Sequence, residues 1–175
     1  MADDVIGVLD LLNIRQTYIL GISMGSMIAQ AIAGRYPDRV HGLVLHLGFT
    51  RISPLLKIIM NLMVILPGSK KKMEEGMNRM ILSQKFPPTP ESFRRQGEAV
   101  NKFDGRKYLG KILAKTLILN ATRDRFVPMK ITRELVNGIS DAELVLIEGD
   151  HLTFRTDTEK VLDPMLVFLN SLTGN

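Results

Sequence analysis

The stretch Thr17-Tyr18-Ile19-Leu20-Gly21-Ile22-Ser23-Met24-Gly25-Ser26-Met27-Ile28-Ala29-Gln30 decides how this chain is read. Its first six residues make a short, largely apolar run of strand length. Residues 26–36 are rich in Ala and closed by Pro37, the pattern of a helix. Between the two lies Gly21-Ile22-Ser23-Met24-Gly25, a Gly-x-Ser-x-Gly pattern in a strand-turn-helix context. So sharp a turn forces its serine into a strained backbone conformation, and small residues on either side let strand and helix approach. It would lift Ser23 above the strand end and bring the Met24 N–H, with the helix dipole, toward an oxygen gaining negative charge. By itself the pattern is equally compatible with a glycine-flanked turn serine that does no chemistry.

The elements on either side decide between these readings. Asp3 is placed to cap a helix carrying Val5, Val8, Leu9 and Leu12 at helical spacing, which ends near Asn13, a residue that tolerates the left-handed conformation. Residues 40–47, 116–119 and 144–147 are apolar almost throughout, as strands covered on both faces are, and helical stretches separate them. The alternation predicts an α/β fold: a parallel sheet of about four strands with flanking helices, built from residues 1–48 and 114–175. Residues 49–113 read as a helical insertion, a natural lid. Within it Met73, Met77, Met80 and Ile81 share one helical face with Ser69 as a cap, and Thr89-Pro90 starts a second helix. The Met stripe is first a packing surface, and only second a ligand surface.

A serine hydroxyl is a poor nucleophile unless a base takes its proton and a third group orients that base. The chain has three histidines. His41 and His46 fall within a predicted strand, whereas His151 follows the last one in Glu148-Gly149-Asp150-His151. Ligands of parallel sheets bind outside the carboxyl strand ends, which favours His151 as the base; His41 is assigned to structure, and His46 is near enough to its strand end to line a pocket. Asp124, in the loop after the third strand and before Val127-Pro128, is the candidate acid. Loop aspartates are common as caps, so Asp124 gains weight only through the set: Ser23, Asp124 and His151 follow three different strands in the order Ser, Asp, His.

Composition narrows the remaining classes. The 175 residues are 45% hydrophobic, with ten Met and no Trp, enough for one aliphatic core. Zero Cys removes disulfides and thiol chemistry; it fits a reducing compartment, and a cytoplasmic setting is the expectation, although many secreted proteins also lack disulfides. The start Met1-Ala2-Asp3-Asp4 is acidic, unlike a secretory signal, and the apolar run 55–66 falls short of the roughly 20 residues of a membrane span. Residues 51–115 hold 14 Lys or Arg against 5 Asp or Glu, so that stretch carries +9 and the remainder −4, which makes the insertion cationic. Most such charge is solvated surface; otherwise it steers an anionic substrate. Nucleic acid is disfavoured, because Lys70-Lys71-Lys72 and Arg94-Arg95 lack interleaved aromatics.

Four stretches together resemble the lidded α/β-hydrolase superfamily, in its esterase, enol-lactonase and acyltransferase branch: Gly21 to Gly25 with Met27-Ile28-Ala29-Gln30, Tyr36-Pro37-Asp38-Arg39-Val40, the Asp124 loop ending in Val127-Pro128, and Gly149-Asp150-His151. The resemblance implies nucleophile Ser23, acid Asp124, base His151 and one oxyanion donor, the Met24 N–H. A serine at the elbow separates the chain from the dehalogenase and epoxide-hydrolase branches, which use aspartate there. The implied reaction is cleavage of a small ester, lactone or thioester through an acyl-enzyme, without metal or organic cofactor; acyl transfer differs only in the second nucleophile. Two departures stand out. Asp150 precedes His151 where the family usually has glycine, a second carboxylate able to compete for its orientation. The family's amino-terminal half, with the loop giving the second oxyanion N–H, would precede Asp3, so the expected fold is a truncated one. That leaves two alternatives, a noncatalytic shortened module and one piece of a split enzyme. It also puts strand 17–22 at an unprotected sheet edge and predicts a homodimer or a partner chain beside it.

Overall fold

The computed structural model describes residues 1–52, 57, 75, 85, 86 and 89–174. The chain divides into two compact units, Met1–Arg51 with Asp104–Asn175, and Ile52–Phe103. The first unit is a four-stranded parallel sheet, β1 (Thr17–Ile22), β2 (Val40–His46), β3 (Lys115–Ala121) and β4 (Ala142–Ile147), in sequence order across the sheet. The register sets Ile22 beside His46, and His46 beside Leu119, so β1 and β2 end level with one another and β3 runs two residues further, to Ala121 beside Ile147 of β4.

Helices α1 (Ala2–Leu11), α2 (Met24–Arg35) and α5 (Met129–Gly138) contribute to one core with Ile32, Leu43, Leu45, Ile118 and Leu135. Val44, Leu117 and Leu119, one residue out of phase, pack with Val161, Met165 and Phe168 of α7 (Thr158–Thr173). This alternation is the two-residue period of a strand with both faces covered, and it explains why β2 and β3 read as continuous apolar runs.

Two expectations about helix starts are corrected. Asp3 does not cap α1: the helix begins at Ala2 with Met1 at its cap, and the Asp3 carboxylate instead accepts from the Tyr36 hydroxyl at 2.5 Å and pairs with Arg35. A tertiary partner took the side chain that local capping would have used. Helix α2 begins at Met24 rather than at residue 26, because Ser23 itself is the cap. Asn13 does adopt the left-handed conformation, with φ 55°.

In the second unit, α3 (Pro90–Lys102) starts as its sequence predicts: Thr89 Oγ1 accepts the Ser92 N–H at 3.2 Å. Glu91 with Arg95, and Arg94 with Glu98, form pairs one turn apart along it. The Met stripe, Ser69 and most of the apolar run 55–66 lie outside the described residues. A four-residue helix, α4 (Arg106–Leu109), follows in the first unit, and another, α6 (Thr153–Thr156), precedes α7.

Candidate active site

The turn after β1 is built by close packing and three hydrogen bonds. Gly21 is obligatory, because a Cβ there would lie 2.7 Å from Ala29 Cβ, Gly25 O and Ser26 Cα. At Gly25 a Cβ would meet no atom of the described residues within 4 Å, so the second glycine of the pattern is not held by crowding. Ser23 sits at φ 50° and ψ −114°, a strained conformation of the kind that costs about 1–3 kcal/mol. Its N–H donates to His46 O at 2.9 Å, while the Ser26 hydroxyl and N–H both donate to Ser23 O at 2.6 and 3.0 Å. The Met24 N–H is the first of α2, one of the first-turn donors that a helix leaves without an intrahelical acceptor.

Two loops at the same end of the sheet carry the other polar groups. Asp124 follows β3, and its Oδ1 accepts the N–H groups of Phe126 at 2.7 Å and Val127 at 3.0 Å. His151 follows β4, in a loop opened by Gly149 at φ +153°, where any Cβ would also collide with the Thr153 side chain. The Asp150 N–H donates to Thr153 Oγ1 at 2.9 Å, and the Thr153 hydroxyl donates back to Asp150 O at 2.7 Å. Between the loops, Thr122 N–H donates to Ile147 O at 2.9 Å and Arg123 N–H to Gly149 O at 2.8 Å.

The three sequence-selected residues meet. His151 Nδ1 donates to Asp124 Oδ2 at 2.7 Å, and Ser23 Oγ lies 2.9 Å from His151 Nε2. Since the carboxylate can only accept, the Nδ1 proton faces Asp124 and Nε2 is left to accept from the serine hydroxyl. The Asp124 side chain is 0% exposed. Burial alone would raise its pKa, but the bonds from His151, Val127 and Phe126 outweigh burial and hold the carboxyl below its ordinary range. Asp150 does not compete for the ring: its Oδ1 accepts the Leu152 N–H at 2.8 Å within its own loop.

The other two histidines separate. His41 is exposed, edge-on to Tyr18 at 5.0 Å. His46 is fully buried rather than pocket-lining, with Nδ1 donating to Leu119 O at 3.3 Å and Nε2 finding no partner among the described residues. Burial lowers its pKa to about 4, so it is neutral at physiological pH. Sequence reasoning missed three features. Leu47, wholly buried, takes φ 52°, a value rare for a bulky residue. Phe126 meets the His151 ring edge-on at 5.2 Å, and a cavity of about 420 Å³ opens beside both. The isolated aromatic in Arg123-Asp124-Arg125-Phe126 was the available signal for the last two.

Residues 1–75 match the family model for the alpha/beta hydrolase fold. The 2-hydroxy-6-oxo-6-phenylhexa-2,4-dienoate hydrolase of Comamonas testosteroni is 30% identical over 79% of this chain and 57% of its own length. The 2-hydroxy-6-oxononadienedioate/2-hydroxy-6-oxononatrienedioate hydrolase of Cupriavidus pinatubonensis is 32% identical over 79% of this chain and 56% of its own. The chain thus spans little more than half the length of these relatives. Among solved structures, Rv0554 of Mycobacterium tuberculosis superposes with a TM-score of 0.79 at 20% identity, covering 98% of this chain and 71% of that one. The enol-lactonase of Burkholderia xenovorans LB400 does so with 0.74 at 24%, covering 96% and 71%; at these identities both likenesses speak to fold. With the parallel sheet, the serine turn at the end of β1 and the match of residues 1–75 to the family model, the chain has the α/β-hydrolase fold.

Proposed function

We propose that the chain is a serine hydrolase that cleaves a small ester, lactone or thioester. The reading is carried by the continuous relay from Asp124 through His151 to Ser23, with bonds of 2.7 and 2.9 Å. Ser23 Oγ attacks the carbonyl carbon as its proton passes to His151 Nε2, and Asp124 stabilises the imidazolium without taking the proton. The oxyanion that forms accepts from the Met24 N–H at the start of α2. His151 then protonates the leaving oxygen or sulfur, and water releases the acyl group by the same steps in reverse; an alcohol or thiol in place of water would give acyl transfer. The names of the relatives, two hydrolases and an enol-lactonase, agree with this class. The chemistry needs no metal or organic cofactor.

Three further assignments belong to the same reading: residues 49–113 act as a lid whose positive charge steers anionic substrates, the setting is cytoplasmic, and a second chain associates beside strand 17–22. The last is supported by β1, an edge of the sheet on which Tyr18 is 38% and Leu20 47% exposed. Such a partner, either a second copy or a separate chain, would be positioned to supply a second oxyanion N–H. Stoichiometric labelling by a fluorophosphonate, lost in Ser23→Ala, tests the nucleophile. A folded sample that does not label would mark a noncatalytic module instead. Sedimentation and esterase assays over one dilution series, repeated with Leu20→Lys, test whether activity follows association. Full activity in a stable monomer would remove the partner.

A further inference from the structure

The cavity beside the triad is asymmetric in a way that assigns it to one half of the substrate. It is lined by His151, Phe126, Leu152, Arg123, Arg125 and Asp150, and neither Ser23 nor Met24 contributes to its wall. In an acyl transfer the carbonyl must sit at Ser23 Oγ and the Met24 N–H, while the leaving atom must lie within reach of His151 Nε2, which protonates it. A cavity that touches the base but not the nucleophile therefore faces the leaving group.

Its chemistry is equally one-sided. Phe126 and Leu152 are 60% and 52% exposed, large apolar side chains left open to solvent in the wall of the cavity, Phe126 edge-on to the imidazole. Of the charged members, Arg123 pairs with Glu148 at 3.1 Å, and Asp150 turns one carboxylate oxygen to the Leu152 N–H of its own loop. Arg125 alone is left over, an exposed guanidinium with no carboxylate partner among the described residues. A planar fork of donors beside an apolar wall suits a flat, apolar group bearing a carboxylate or phosphate.

We infer that this cavity is the leaving-group subsite and that Arg125 reads an anionic substituent on the leaving alcohol, enol or thiol. The inference rests on the hydrolase reading above and deepens it by placing the negative charge on the leaving side rather than the acyl side. It also separates a local contact from the diffuse charge of residues 51–115, because a contact distinguishes positional isomers and long-range steering does not.

Three esters test this: phenyl acetate, 3-carboxyphenyl acetate with the anion on the leaving phenol, and phenyl hydrogen succinate with the anion on the acyl group. In the unaltered protein 3-carboxyphenyl acetate is favoured. Arg125→Gln lowers the ratio of its kcat/KM to that of phenyl acetate about fivefold, the scale of one exposed charge pair, while the ratio for phenyl hydrogen succinate holds. Equal loss for both anionic esters, or no change in either ratio, overturns the assignment. Binding of the product 3-hydroxybenzoate relative to phenol, followed by NMR titration, gives a readout independent of turnover. Arg125→Gln should reduce that preference by a similar factor, and an unchanged preference also overturns the proposal. Absence of all turnover with the Arg125-dependent preference intact would count against the hydrolase reading and leave the anion subsite standing.

Discussion

The turn at the end of β1 and the pair of loops after β3 and β4 bring three side chains into one hydrogen-bonded relay by different physical means. At the turn the constraint is steric and short-range: Gly21 has no room for a Cβ, and Ser23 is held at φ 50° by a hydrogen bond to the neighbouring strand. At the loops the constraint is polar and long-range. Asp124 and His151 are 27 residues apart, and are aligned by bonds between the loops and by the Asp150–Thr153 exchange within one of them. A crowded turn leaves a signature in consecutive residues. A hydrogen-bonded junction between loops leaves one only in the order of distant residues.

The relay that joins the two regions gives the largest expected effect. Ser23→Ala and His151→Ala should each lower ester turnover about 10⁴-fold or more, with the double variant little worse, because the members act as a unit. Asp124→Asn should cost about 10⁴-fold by admitting the wrong tautomer, whereas Asp150→Asn, whose carboxylate only caps its own loop, should cost under about tenfold. Steady-state kinetics on folded variants checks the set, and a larger loss at Asp150 would reassign the acid.

Next comes the layer beneath both regions. The pKa of His46 is depressed to about 4 in the folded protein, so the unfolded chain binds its proton first as pH falls. Stability should drop by about 3 kcal/mol between pH 6.5 and 4 on this account, with the contribution intact above that window. Urea denaturation across that range should show a shallower acid-side loss in His46→Leu than in the parent. Parallel curves would mean the imidazole is not held neutral by burial.

The turn itself can be sharpened by its two glycines. Gly21→Ala should destabilise by about 1–3 kcal/mol, since the clash is with backbone and Cβ atoms that cannot swing aside. Gly25→Ala should stay within about 0.5 kcal/mol, having open space around it. Thermal melts of the two would reveal whether crowding truly distinguishes the glycines, and equal losses would show that it does not.

Most of the fold was legible because its signals are local. Strand β1 was bounded correctly at residues 17–22, and the other three strands to within two residues; the central β2 and β3, buried on both faces, are apolar almost throughout, while the edge strands β1 and β4 keep apolar runs although part of each is exposed. The helix starts were less legible. Asp3 looks like a cap to its neighbours in sequence, but Tyr36 and Arg35, more than thirty residues away, claimed its carboxylate.

For the site, the sequence by itself determined the candidates: a serine in a strand-turn-helix pattern, an aspartate and a histidine after later strands, and no cysteine to compete. Only the tertiary structure decided which carboxylate faces His151, that His46 is buried rather than pocket-lining, and that Gly25 is uncrowded. The physical reason is range. The apolar run of a strand and the glycines of a tight turn can be read within a few positions, whereas the partner of a buried polar atom is chosen by geometry across strands, which no local pattern encodes.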